Sequence, residues 1–371
     1  MSVQWAFFSL VVALCMLLAM LVYHIFRLQS ALLRSTTSCA TTVSDHVSFQ
    51  RVELVCSRGI LYSTTWHSAS PRSSSVDVSH LSAAVLHALP GDSIYLCTET
   101  LPVFMNTWLS LMRVPFVLVA GDSDETIDAS SNEYNELFAS SLLIAFFGQN
   151  MVNPRTRCVQ MPIGLDYHTV MAGNGRQRHA WLRAGDGTQP SEQEAVLKQI
   201  LHASQSPRVP NVYANFGAMD KRGDRASAIS TVPPELLVYD TGSKPRADVW
   251  QRMATHAFVL SPFGNGFDCH RTWEALALGA IPIVRGQHFA ALFEGLCVMQ
   301  VSEWRDVTRE TLDAFLQEQT QKKQEQKQGQ GQGQGQKGQG QDKQLVHWHN
   351  RQTLPFWVQA IQQSGKKERS N

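Results

Sequence analysis

No Cys-x-x-Cys pair occurs in the 371 residues, which argues against a zinc ribbon or a thioredoxin-like redox motif. Charge of one sign is not in excess: 32 Lys plus Arg stand against 31 Asp plus Glu, a formal net charge of +1. With no long basic stripe either, nothing points to nucleic acid. No Asn-x-Ser/Thr triplet is present, so N-glycosylation cannot report on membrane topology. From Trp5 to Phe26 there is no Asp, Glu, Lys or Arg. As a helix, that run can cross a hydrocarbon core about 30 Å thick.

The run LVVALCMLLAMLV is too apolar for a surface helix. A cleaved signal peptide is the competing reading. The preceding MSVQ has no basic residue and no clear small-x-small site follows, which favours a retained anchor over 5–26 behind a short tail, 1–4. Arg27 and Arg34 follow the span, so the positive-inside rule alone would leave the rest of the chain cytosolic. Cys15 lies in the apolar run. Cys39, Cys56, Cys97, Cys158, Cys269 and Cys297 could pair in an oxidising compartment, with connectivity open.

The hydrophobic content of 43% allows a sizeable core. Residues 27–80 are Ser/Thr-rich and read as stem or linker, with VELVC at Val52–Cys56 strand-like. Beyond them, short apolar runs alternate with helical segments. SIYLCT, PFVLVAGDSDE, SLLIAFFGQN and CVQMPIGLD read as strand–loop units of a first lobe, 81–205, with a helix over Val103–Met112. Residues 173–210 read as connection, with a helix near Glu192–His202. A second lobe, 206–316, repeats the logic in VYANFG, LLVYDTG, AFVLSPFGNG, AIPIV and CVMQV, with helices at RASAIS, ADVWQRMATH and HRTWEALALG. Such runs argue for parallel sheets covered on both faces, hence an α/β chain of two doubly wound lobes facing across a cleft. The Gln/Gly-rich stretch 317–344 cannot bury apolar area and is expected to be disordered. LPFWVQAIQ within 345–371 reads as a last helix.

The informative segment is Phe258–Val284, FVLSPFGNGFDCHRTWEALALGAIPIV. A buried strand leads into a loop with Gly264 and Gly266, and a helix follows. The first turn of a helix offers free N–H groups and the positive end of its dipole, which suits a diphosphate. The glycines are expected to let backbone approach the ligand. Arg271 can fork onto phosphate, and Glu274, on the same face, can accept from a ribose diol. Taken singly, Arg271 and Glu274 could be a plain surface pair, and Asp268 only an N-cap.

This ordered string resembles the C-terminal motif of exostosin-like glycosyltransferases: a Gly-rich loop, an Arg, a Glu-Ala-Leu stretch, then Gly and Ile-Pro-Ile or Val. The matching positions are Arg271, Glu274, Ala275, Leu276, Gly279, Ile281, Pro282 and Ile283. SPFGNGFDCHRTWEA looks close to a eukaryotic and large-virus branch, and GDSDET, FFGQN, PIGLDYHT, YANFG and GDRASA also match. The resemblance implies a GT-B fold of two Rossmann-like lobes, preceded here by the transmembrane helix. It implies a UDP- or GDP-sugar donor, a glycan or glycoprotein acceptor and inverting transfer, in a Golgi or ER membrane protein of type II with a luminal catalytic domain. That topology conflicts with the charge flank. No cofactor is expected, and a divalent metal is not required.

By the same resemblance Arg271 meets the diphosphate, Glu274 the ribose and Arg225 a second phosphate position. Asn215, Ser261, Gly264, Gly266, Asp268 and His270 line the same crevice. Transfer to a hydroxyl benefits from a proton acceptor. Asp122 is the first candidate, with Asp124, Glu125, Asp166 and His168 behind it; each could instead be a turn or cap residue. Asp122-Ser-Asp124 also has the Asp-x-Asp form by which GT-A enzymes hold a metal, a weak signal on spacing alone. The alternative to an active transferase is an inactive sugar-binding or scaffold protein on the same fold.

Overall fold

The computed structural model describes residues 47–171, 187–204, 207–217, 221–330 and 349–369. Ser48–Asn371 forms one compact unit. The expected anchor over 5–26 lies outside the described residues, as do 172–186 of the expected connection. Among the described residues no helix is long and apolar enough to cross a membrane.

The architecture is α/β with parallel sheets. The first sheet takes β1 (Asp92–Cys97), β2 (Phe116–Gly121), β4 (Leu143–Gly148) and β6 (Cys158–Gln160), in the order β1-β2-β4-β6. Between them β3 (Ile127–Asp128) and β5 (Met151–Val152) form a separate parallel pair. The second sheet takes β7 (Val209–Ala214), β8 (Leu237–Tyr239), β9 (His256–Leu260), β10 (Ile281–Arg285) and β11 (Met299–Val301), in the order β11-β10-β9-β7-β8. Every strand pairing is parallel. In the second sheet the order reverses between β7 and β9, a Rossmann-like switch point where open α/β sheets leave a crevice at the carboxyl ends of their strands.

The strands read as unbroken apolar runs because both faces are covered: every residue of β2 and of β9 is buried. One apolar cluster lies on the outer face of each sheet. A third runs continuously between the sheets, joining Val119 and Phe147 of the first to Tyr213 and Val259 of the second. The Leu354–Arg369 helix, expected from its spacing, packs back on the first sheet against β1, β2 and β4. Gly279, with φ +73°, turns the chain out of the His270–Ala277 helix into β10.

Three expectations change. The segment read as stem is part of the fold from Phe49 onward, and Ser57–Leu61 is a wholly buried helix. Its neighbouring hydroxyls are spent on local carbonyls, Ser63 on Gly59 and Thr64 on Leu61, so Ser/Thr richness does not keep it out of the core. VELVC makes only isolated bridges, Leu54 to Thr353 and Cys56 to Gly164. The Arg309–Gln330 helix runs well into the tract expected to be disordered; Gln, Glu and Lys propagate a helix once a packed first turn has nucleated it. Residues 331–348 lie outside the described residues.

Gly164 has φ +68°, and a Cβ there would collide with the Val55 carbonyl, which is backbone and cannot turn aside. Gly164→Ala is therefore expected to destabilise the fold by about 3 kcal/mol, combining left-handed strain with overpacking. Urea unfolding with an unchanged slope is the measurement.

Candidate functional site

At the β7/β9 switch point opens a cleft of about 580 Å³. The chain leaves β9 through the loop Ser261–Cys269 and enters the His270–Ala277 helix. That loop is clamped along its length. Phe263 N–H donates to Asp224 Oδ2 at 2.8 Å, and the same buried carboxylate accepts from Trp304 Nε1 at 2.9 Å. Asp268 N–H donates to Asn150 Oδ1 at 2.8 Å, reaching the loop after β4. Asp268 Oδ2 accepts from Ile163 N–H at 2.8 Å, and both its oxygens accept from Trp273 Nε1, at 2.9 and 3.0 Å. His270 Nδ1 lies 2.6 Å from the Gly164 carbonyl.

The two loop glycines leave room for the protein's own side chains. A Cβ on Gly264 would meet Arg225 Nη2 at 2.9 Å, and a Cβ on Gly266 would meet the Asn150 amide at 2.8 Å. They admit the protein's own side chains against the loop, and Arg225 is thereby drawn to the cleft wall.

Arg271, Glu274, Arg225, Asn215, Gly264, Gly266, Asp268 and His270 all line the cleft, joined by Asp124 and Asp166. Arg271 lies with its guanidinium 4.7 Å from the Phe216 ring centroid, and its Nη1 is buried with no hydrogen-bond partner among the described residues. Burial pushes this guanidinium below its ordinary range, and the like charge of Arg225 adds to the depression. A buried cation beside a second cation is a costly arrangement that an anion would relieve. Glu274 does not make the plain surface pair with Arg271: its carboxylate is 3.7 Å from Arg246 Nε inside the cleft. Asp268 is not the N-cap, a place taken by Cys269 without a side-chain bond. Its carboxylate faces inward, and burial pushes it up to about 6 against the donors Ile163 and Trp273.

Asn215 straps two loops, donating to the Asp240 and Gly242 carbonyls at 2.8 and 3.3 Å. Ser261 is a correction: its hydroxyl is 2.9 Å from Thr272 Oγ1, buried behind the helix start rather than in the cleft lining.

Asp122, the first candidate for proton acceptor, is also a correction. It has φ +60°, is buried, and does not line the cleft. Its Oδ2 lies 2.9 Å from Arg58 Nη2 and its Oδ1 accepts from Ser73 at 2.9 Å. With Asp122 turned inward, it and Asp124 do not converge on one metal position, and no cluster suited to a metal is found among the described residues. Asp124 stands at the rim, with Oδ2 3.4 Å from Asn265 Nδ2. Glu125 is exposed and 3.8 Å from Lys221. His168 sits between carboxylates, 3.2 Å from Asp166 and 3.7 Å from Asp122, off the cleft lining. Asp166 does reach the cleft. Burial pushes its carboxyl up, but His270, His168 and Arg246 together outweigh that and hold it well below the usual carboxylate range. Such a group is a weak proton acceptor.

The sequence did not single out the opposite wall, Lys244, Arg246, Val249, Trp250 and Met253. The apolar spacing of ADVWQRMATH marked a core helix, and Trp250 is indeed in the core. The overlooked signal was Lys-Pro-Arg immediately ahead of it, two cations at a helix entry after β8. Among the described residues Cys56, Cys97, Cys158 and Cys269 form no disulfide; burial pushes the thiols of Cys56 and Cys97 up to about 12.

Asp268→Ala orphans two buried N–H groups, so a loss of about 3 kcal/mol is expected in urea unfolding. For Asp166, the folded state binds its proton more weakly than the ordinary value of 3.8. Its contribution is therefore present at neutral pH and is lost as pH falls below that value. Urea midpoints measured from about pH 5 to pH 2 should fall less steeply in Asp166→Asn than in the unaltered chain. Set against known proteins, the chain matches no family model, and no curated protein is significantly similar to it.

Proposed function

We propose that this chain is an exostosin-like glycosyltransferase of GT-B architecture, which moves a sugar from a UDP- or GDP-sugar to a glycan or glycoprotein hydroxyl with inversion. The observation that carries the reading is the buried Arg271 guanidinium, with its unpartnered Nη1, beside Arg225 at the start of a helix. Two guanidiniums and a helix N-terminus make a receptor for the donor diphosphate. Glu274, one turn along, is placed to accept from a ribose diol. The apolar wall of Val249, Trp250 and Met253 suits the nucleobase, and the buried Trp250 indole N–H lacks an acceptor among the described residues. The diphosphate is then the leaving group, and Arg271 and Arg225 stabilise the charge it gains as the glycosidic bond breaks. The apolar run over 5–26 would serve as a type II anchor, with the catalytic domain in the Golgi or ER lumen.

UDP or GDP should raise the melting temperature of the full chain, by about 2.7 kcal/mol of added stability at a hundredfold excess over Kd. No shift with either at saturation would refute the diphosphate site. Arg271→Ala and Glu274→Ala should each lower kcat/KM at least about 10²-fold, with far-UV circular dichroism unchanged. Nucleotide binding without turnover of any nucleotide sugar would support an inactive sugar-binding protein instead.

A further inference from the structure

We infer that His270 is the catalytic base, taking the proton of the acceptor hydroxyl on its Nε2. The inference rests on the transferase reading above. Inverting transfer needs one proton acceptor at the sugar's far face. Of the groups expected to serve, Asp122 is engaged with Arg58 and His168 lies between Asp122 and Asp166, while Asp124 and Glu125 stand exposed at the rim. Asp166 is engaged on both oxygens, by His168 Nδ1 at 3.2 Å and Arg246 Nη2 at 3.7 Å.

His270 is differently placed. It lines the cleft immediately before Arg271. Its Nδ1 is 2.6 Å from the Gly164 carbonyl oxygen. A carbonyl only accepts, so Nδ1 carries the proton, and in the neutral ring Nε2 presents a lone pair. Nε2 has no hydrogen-bond partner among the described residues, and it is not among the buried unpartnered atoms. The ring is thus fixed in tautomer and orientation with its basic nitrogen left for the cleft. The carbonyl that fixes it belongs to Gly164, whose left-handed backbone is held hard against Val55.

The step balances without a co-reactant. The acceptor oxygen forms the new bond to the anomeric carbon, and the bond from that carbon to the diphosphate oxygen breaks. Its electron pair leaves with the nucleoside diphosphate. The hydroxyl proton passes to His270 Nε2, giving an imidazolium that returns it to solvent. The charged groups around the ring are Asp166 and His168 from the segment after β6, Asp268, Arg271 and Glu274 from its own segment, and Arg246 from the facing helix.

The test uses the purified full chain. UDP and GDP binding are followed by thermal shift, and turnover by nucleoside diphosphate release from nucleotide sugars across pH. The wild-type rate should fall on the acid side as the imidazole is protonated. His270→Gln, which puts a non-basic amide where Nε2 stands, should still bind nucleotide but turn over about 10²- to 10⁴-fold more slowly, with the acid limb gone. His270→Ala should be partly restored by added imidazole, which a merely structural role would not allow. Turnover in His270→Gln within threefold of wild type and with the same pH profile, or a wild-type rate with no acid limb, overturns the assignment while leaving the transferase reading intact; the wild-type profile decides even where a variant does not fold. Wild-type protein that turns over no nucleotide sugar removes the reading and this inference together.

Discussion

The carboxylate of Asp268 is the point on which the arrangement depends. It is 3% exposed and takes its donors from both halves of the fold: the Ile163 backbone after β6, and the Trp273 indole one turn into the helix that follows β9. A charge in that position is costly to bury and tolerable only while its donors are in place. Displacing the helix from the first half by an ångström would strip the Ile163 bond and leave a buried anion half-satisfied. The start of the helix is therefore fixed relative to β6, not merely to its own sheet. His270 and Arg271 inherit that fixed position because they are the next residues but one and but two along the chain.

The second constraint is electrostatic, and it differs between the two walls of the cleft. On the side of the first half, carboxylates are neutralised internally: Asp122 by Arg58, Asp166 by Arg246 and the neighbouring imidazoles. On the loop side, Arg225 is pressed against Gly264 and Arg271 is buried over Phe216. Burial lowers the Arg271 guanidinium, and Arg225 lowers it further. The same fold that spends its anions in ion pairs thus concentrates cations at one end of the cleft. A low local dielectric magnifies both the cost of that placement and the attraction it offers an anion.

Much of the frame was legible in the sequence. The apolar runs of β1, β2, β4, β7, β9 and β10, the Gly279 turn and the last helix through LPFWVQAIQ follow from period and punctuation, which are local properties. The place of Arg271 and Glu274 was legible too, because residues that follow parallel strands share the carboxyl edge of a sheet; Arg225 and Asn215 were expected in the same crevice from the resemblance alone. What was not legible is the direction a side chain takes at that edge. Asp122 and Asp124 are two residues apart after β2, yet one turns inward to Arg58 and the other stands at the rim. The partner that decides this lies far away in sequence, in a Ser-rich stretch read as stem. Ser261 failed for the same reason, since Thr272 was already there to take its hydroxyl. The glycines were recognised as necessary but credited to the ligand, because nothing in the sequence says that Arg225 and Asn150 fill their Cβ space.

These misreadings share a cause that bears on how such a cleft works. A polar group at a strand end has two outlets, the cleft or a buried partner, and burial without a partner costs about 1–3 kcal/mol. Where a partner exists, as for Asp122, Ser261 and Asp268, the group is drawn inward and becomes framework. Where none exists among the described residues, as for Arg271 Nη1 and Trp250 Nε1, the unmet hydrogen bond persists in residues that line the cleft. The atoms left unsatisfied by the fold are then a better guide to recognition than residue type. Here, among the described residues, they include donors on both walls, Arg271 on one and Trp250 on the other. A ligand that met them would carry acceptors toward both walls.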